Sequence, residues 1–317
     1  MKLIDVYRLA IDLGCKADSR GPSLIEADLR RQRERYDKLE GKEKERFDPD
    51  LLWNPYSDSR ILYGEQTKEV KELFCGIDVS SAELLLIDRL RERGQVIDAV
   101  IGHHPVGKAR TMFSEVLHVQ EGLLENFGVP INVAEDILAP RIKEVFRGVH
   151  PLNFNQAVDA ARLLDVPFMC LHCPCDNLAQ RFVQDRIDKE RPERVSDILS
   201  LLSDIPEFDI AMRDSSNPEV YVGDKGKRPG KIMVKMAGGA ALPKEAYDGL
   251  SKAGVGTVVC MHLPESHLEE ARKAHMNIVV SGHVASDSLG LNLMMDRLEK
   301  KGVVVHPFSG FIRVKRK

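Results

Sequence analysis

The stretch Val96-Ile97-Asp98-Ala99-Val100-Ile101-Gly102-His103-His104-Pro105 decides the fold. Its apolar part reads as a short buried strand bounded by Gly94 and Pro105. Gly102 lets the chain turn out of the strand, and Pro105 stops the run from continuing as helix. Two neighbouring histidines are thereby presented at the carboxyl end of a strand, where open α/β sheets keep their ligand sites. Successive side chains of an extended segment point opposite ways, so one ion would not easily take both imidazoles. Two ions side by side could take one each. A surface turn with two solvated histidines is the alternative reading.

Working outward, residues 72–77 form a second buried strand candidate, Asp78-Val79-Ser80 a turn and 81–93 a helix. Strand, helix and strand within so short a span make the right-handed βαβ unit of a parallel sheet. Downstream come a helix over 112–127, a helix-rich block over 131–147, and a helix starting at Asn153 or Asn155. A strand over 166–171 then delivers His172 and Asp176. Residues 178–203 read as charged helix, and 213–230 as a loop dominated by turn residues. The remainder alternates again: strand 231–236, a Gly238-Gly239 turn, helix from Pro243 to Lys252, strand 256–260, helix 265–274 and strand 278–280. That strand delivers Ser281-Gly282-His283, followed by a closing helix over 288–301 and a last strand over 303–306. Strand, turn, helix and strand ending in His103-His104-Pro105 are echoed by the unit ending in Met261-His262-Leu263-Pro264. Two related α/β lobes would give such an echo, as would chance likeness between βαβ units.

Upstream, residues 2–13 have helical spacing and 14–22 read as a loop. Ser23 with Glu26 has the form of a capping box for a charged helix reaching about Arg46. Mixed acids and bases in that block point to a solvated helix laced by i,i+4 pairs rather than a nucleic-acid arm. Residues 48–58 form a connector that holds the only tryptophan, Trp53.

Composition bounds the function. The 317 residues are 43% hydrophobic, carry a net charge of −3 and are only 6% aromatic, so attraction to nucleic acid is not built in. No apolar stretch approaches a membrane span, and the N-terminus lacks a secretory pattern, so a cytoplasmic protein is expected. The six cysteines show no disulfide framework. Cys170-Leu171-His172-Cys173-Pro174-Cys175 resembles half a zinc site, but no second pair answers it, and free thiols are the favoured reading.

Three strand ends thus supply donors: His103 and His104, then Asp176, then His283 and Asp287. His283 and Asp287 share one face if helix begins at the strand end. Imidazole and carboxylate suit zinc, iron, manganese or nickel, and the set is too large for one tetrahedral ion. It fits two ions sharing a bridging carboxylate.

Together these segments resemble the NIF-three-like family of dinuclear metal proteins, the GTP cyclohydrolase I type 2 homologues. Gly76-Ile77-Asp78-Val79 followed by helix and Ile101-Gly102-His103-His104-Pro105 resembles its first motif, and the segment from Cys170 to Asn177 its central strand. Ser281-Gly282-His283-Val284-Ala285-Ser286-Asp287-Ser288-Leu289-Gly290 resembles its last. The likeness runs from about residue 70 to the C-terminus. It implies two similar α/β lobes with mostly parallel sheets, a di-metal site in the cleft between them, and a homo-oligomer, commonly a ring-shaped hexamer. The expected division is residues 1–68 as a charged, helix-rich segment, 69–205 as the first lobe and 206–317 as the second, with the C-terminus able to pack back on the first.

Carried over position by position, the resemblance implies one divalent ion on His104 and Asp176 and the other on His103 and His283, with Asp287 bridging. The family usually has Glu at that last position; the shorter Asp287 implies either that bridging fails, with the second ion lost or the metal preference shifted, or that its helix approaches more closely. His172, Cys173 and Cys175 are expected near Asp176 as supporting groups; His262 and His267 are read either as side chains within reach of the cleft or as solvated or structural histidines. The function expected is a metal-dependent hydrolase acting on a small molecule, with GTP as substrate implied by the resemblance alone, since no GxxxxGK[ST] loop is present. A non-catalytic metal-binding or interaction protein is the alternative.

Overall fold

In the computed structural model, which describes residues 1–316, nine strands form two sheets. The first contains β1 (Arg60–Tyr63), β2 (Glu72–Gly76), β3 (Ala99–Gly102), β4 (Phe168–Cys170) and β9 (Val304–Pro307), in the order β1-β4-β3-β2-β9. The second contains β5 (Glu219–Val222), β6 (Lys231–Lys235), β7 (Val255–Cys260) and β8 (Asn277–Val280), in the order β5-β8-β7-β6. All pairings are parallel except the antiparallel edges β1–β4 and β5–β8. The protein is therefore mixed α/β with mostly parallel sheets. Every residue of β3, β4 and β8 is buried, which explains why these strands read as apolar runs without alternation.

The order β1-β4-β3-β2 in one sheet repeats as β5-β8-β7-β6 in the other. The echo seen in the sequence is thus a repeat of topology, with β9 added to the first sheet beside β2. Residues 1–68 contribute the edge strand β1 and a helix, Leu3–Ala17, whose buried face carries Leu3, Val6, Tyr7, Ala10 and Ile11.

Two helices that begin directly at strand ends dominate the packing. Cys173–Glu190 follows β4, and His283–Glu299 follows β8 across Gly282, whose φ of +99° makes the turn that glycine tolerates. They meet backbone to backbone: a Cβ on Gly290 would lie 2.2 Å from the carbonyl oxygen of Cys175.

Several sequence expectations need correction. Residues 14–17 continue the first helix rather than opening a loop, because Gly14 is the contact that lets this helix close onto Pro174, 2.6 Å from an added Cβ. The charged helix spans Pro22–Asp37 with Gly21 as its cap, and a separate short helix, Gly41–Arg46, follows. Ser23 therefore lies inside the first turn, since Pro22 already occupies the start of the helix. The expected loop over 213–230 contains β5, a four-residue edge strand too short and too exposed to alternate visibly. The closing helix starts at His283, five residues earlier than expected, and Asp176 sits in a first helical turn rather than on the strand. No described helix is long and apolar enough to cross a membrane.

Candidate metal centre

The carboxyl ends of β3, β4 and β8 converge. His103 and His104 leave β3 through Gly102; their amide groups donate to the carbonyls of Gly76 and Ile77, which fixes the turn. His172 and Asp176 come from the start of the Cys173–Glu190 helix, and His283 and Asp287 from the start of the His283–Glu299 helix. The spacing His-x-x-x-Asp occurs at both helix starts with similar separations. His172 Nε2 lies 3.7 Å from Asp176 Oδ2, and His283 Nε2 lies 3.6 Å from Asp287 Oδ2.

Asp287 faces both sides of the cluster. Its Oδ1 is 3.4 Å from His103 Nε2, and its Oδ2 is 3.4 Å from His104 Nε2. Asp176 Oδ1 is 3.2 Å from His103 Nε2. The donors close up in three groups: two share Asp287, His103 with Asp176 and His104 with His283, and the third joins His103, His104 and His172. The expected pairs, His104 with Asp176 and His103 with His283, are not among these groups. The ends of β3 and β4 lie side by side, so His103, turned inward and fully buried, meets Asp176. His104, turned toward solvent, meets the helix arriving from the other sheet.

Each of the three histidines of the first sheet is anchored through its Nδ1. His103 Nδ1 lies 3.0 Å from the carbonyl oxygen of Leu171, His104 Nδ1 2.7 Å from Asp78 Oδ1, and His172 Nδ1 2.7 Å from Asp58 Oδ2. An Nδ1–H donated outward leaves the Nε2 lone pair directed into the cluster, the usual state of a metal-binding imidazole. Meanwhile His103 Nε2, Asp176 Oδ1 and both Asp287 oxygens are buried without a hydrogen-bond partner among the described residues. Buried carboxylate oxygens in that condition are rare and costly unless a cation sits among them. The donor separations fit such an ion: two ligands each about 2.0–2.2 Å from a tetrahedral centre stand roughly 3.3–3.6 Å apart.

The electrostatics agree. Burial alone would lower the His103 pKa, but Asp287 and Asp176 outweigh it and hold the ring's pKa well above the usual range. Burial would raise Asp287, yet the surrounding imidazoles, His103 first, push it far below the carboxylate range. The carboxylates thus favour a proton on His103 when no cation is bound. Loading a cation should release it.

The second sheet supplies a further wall. The His262 ring lies 5.0 Å from that of His283, and partial burial, then His283 and Lys235, push its pKa down to about 4. Lys235, 4% exposed at the end of β6, is pushed down to about 8 by burial. Its ordinary value is 10.5, so between the two the folded chain binds fewer protons than the unfolded one. The penalty of burying the ammonium is complete below about pH 8 and is relieved as pH rises toward 10.5. Relative to Lys235→Met, the wild type should gain up to about 3 kcal/mol across that window. Denaturant titrations at neutral and alkaline pH measure this, and a constant difference would refute it.

Among the other expected residues, His267 is turned away, its Nδ1 3.3 Å from Tyr247 Oη. Cys173 and Cys175 are buried free thiols whose pKa values burial raises. Asp58, with no exposed surface, was not anticipated: an isolated acid in the connector carries no motif. The repeated His-x-x-x-Asp spacing is the signal that would have drawn His172 into the donor set.

Comparison with solved structures places these features in context. The crystal structure of a NIF3 superfamily protein from Sphaerobacter thermophilus is 30% identical, with a TM-score of 0.71 over 90% of this chain and 98% of that one. Reduced HcgD from Methanocaldococcus jannaschii matches at 16% identity and TM-score 0.49, covering 83% of this chain and 93% of its own. TTHA1606 from Thermus thermophilus matches at 13% and 0.45, covering 84% and 93%. Neither family models nor curated proteins gave a match.

Proposed function

The chain belongs to the NIF3 superfamily, and from that premise we propose that it binds two divalent metal ions and uses them to hydrolyse a small-molecule substrate. The observation that carries the reading is the set of buried, unpartnered Asp176 and Asp287 oxygens facing imidazoles anchored from behind. His103 and Asp176 would hold one ion, His104 and His283 the other, and Asp287 both. Zinc, iron, manganese and nickel all accept this donor set. Bound there, such ions supply Lewis-acid chemistry, polarising a substrate oxygen and acidifying water.

The chain's own residues complete the task. Asp58 orients His172 so that Nε2 faces the cluster, where it can take up a proton released during attack and return it to a leaving group. His103 and Asp287, fully buried, exclude bulk water from the inner side, while His104 and His283 stand at the open side.

Purified protein should take up about two divalent ions per chain, and His103→Ala or His283→Ala should each lose one. Unchanged stoichiometry in both variants, read by elemental analysis, would sink the assignment. A panel of nucleotides and phosphoesters, GTP included, assayed with manganese, iron, zinc and cobalt tests the hydrolase. Turnover abolished by Asp176→Ala supports it, whereas silence across the panel leaves a metal-binding protein without catalysis.

A further inference from the structure

Lys235 is a buried cation that the centre just described does not use. It closes β6 opposite Cys260, and its counterpart in the first sheet, paired with Gly102 at the end of β2, is Gly76. The charge is thus an addition of the second sheet and not part of the shared scaffold. Its Nζ donates to the carbonyl of Ala240 at 2.5 Å and takes part in no ion pair among the described residues. An ammonium has three donors, so two remain without a protein acceptor.

A structural reading would make Lys235 the tether of the turn at Gly238-Gly239. That role is already filled: Gln120 Nε2 donates to the carbonyls of both Gly238 and Ala240, at 2.7 and 2.8 Å. For packing alone an apolar side chain would serve better among these neighbours. Lys235 lines a cavity of about 20 Å³ together with Met236, Leu242, Tyr247, Cys260 and the exposed His262. Space of that size holds one water or one small polar group. His262 joins the cavity to the metal centre, since its ring abuts that of His283.

We propose that Lys235, with His262 at the rim, forms a subsite for one oxyanion group of the substrate, a carboxylate being the group that fits the cavity. This names the substrate class of the hydrolase reading and rests on it: the anionic end would lie on the second-sheet wall, and the reacting end between Asp176 and Asp287. A buried ammonium with free donors recognises such an oxygen strongly, because charge-assisted hydrogen bonds form there without competing water.

The test uses the whole chain kept metal-free with chelator, so that no metal ion captures the anion. Formate and inorganic phosphate are titrated calorimetrically into wild type, Lys235→Met and Lys235→Gln. Formate should saturate one site in the wild type and bind at least about tenfold more weakly to both variants. Their Tm should match or exceed that of the wild type, because a buried charge has been removed. Phosphate binding with the same dependence on Lys235 would keep the oxyanion site and assign it to phosphoryl groups. Equal binding by wild type and variants, or no saturable binding of either anion, would overturn the proposal. So would a large fall in Tm in both variants, which would identify Lys235 as structural. If separately prepared, chelator-free protein takes up no divalent ions by elemental analysis while anion binding is intact, the metal reading alone is refuted.

Discussion

Asp287→Ala is expected to weaken divalent-ion binding at both positions together, by at least about 100-fold at each. The expectation follows from one carboxylate facing two donor sets, with Oδ1 toward His103 and Oδ2 toward His104 and His283. His172 also approaches both His103 and His104, but only Asp287 offers a separate carboxylate oxygen to each. Removing His103 or His283 thins one set; removing Asp287 strips a ligand from each. Metal content after dialysis, together with calorimetric titration, reads the outcome. Retention of one ion at wild-type affinity would show that Asp287 does not bridge. Asp287→Glu is a sharper probe. Its longer side chain enters a gap already set by the close helix contact, so overpacking should destabilise the fold by roughly 1–3 kcal/mol.

That contact supports the second large effect. Gly290 lies one turn beyond Asp287 on the same helix, and an alanine there would put Cβ 2.2 Å from the Cys175 carbonyl oxygen and 2.7 Å from its carbon. Backbone atoms cannot swing aside as a flexible side chain can, so the two helices must separate. Gly290→Ala should therefore destabilise by about 3 kcal/mol and also weaken metal binding, because Asp287 moves away from Asp176. Gly148 is the control. It too is helical, but nothing lies within 4 Å of an added Cβ. Gly148→Ala should be neutral or stabilising by up to about 1 kcal/mol. Denaturant unfolding of both variants checks the pair; equal effects would refute the steric account.

Aspartate at 287 looked short for a bridging role, and Gly290, which lets the same helix close onto Cys175, was in view but had no evident purpose without that neighbour. The strand ends at His103, Asp176 and His283 were legible because apolar runs stop at glycine or at polar ligands. Which donor meets which was not. That depends on the order of strands across the sheet and on which face of β3 each histidine takes. Asp58 and Lys235 were illegible for different reasons. Asp58 reaches His172 from 114 positions away in the chain, and a lysine ending an alternating strand gives no hint that both faces are covered. The exposed edge strand β5 lacked the apolar run that betrayed the others.

The return of β9 to the first sheet has a mechanical consequence. The chain leaves that sheet at β4, builds the whole of the second, and rejoins the first beside β2, where the Val304 amide donates to the Lys71 carbonyl at 2.7 Å. A unit hung from a single linker can swing. One stitched at both ends is a closed loop whose ends are already fixed, with little rotational freedom left to spend. Parting the two sheets would mean unzipping β9 from β2. Traffic to the cluster must then pass the rim formed by His104, His262 and His283, and a ligand's size, not the breathing of the molecule, sets how readily it enters.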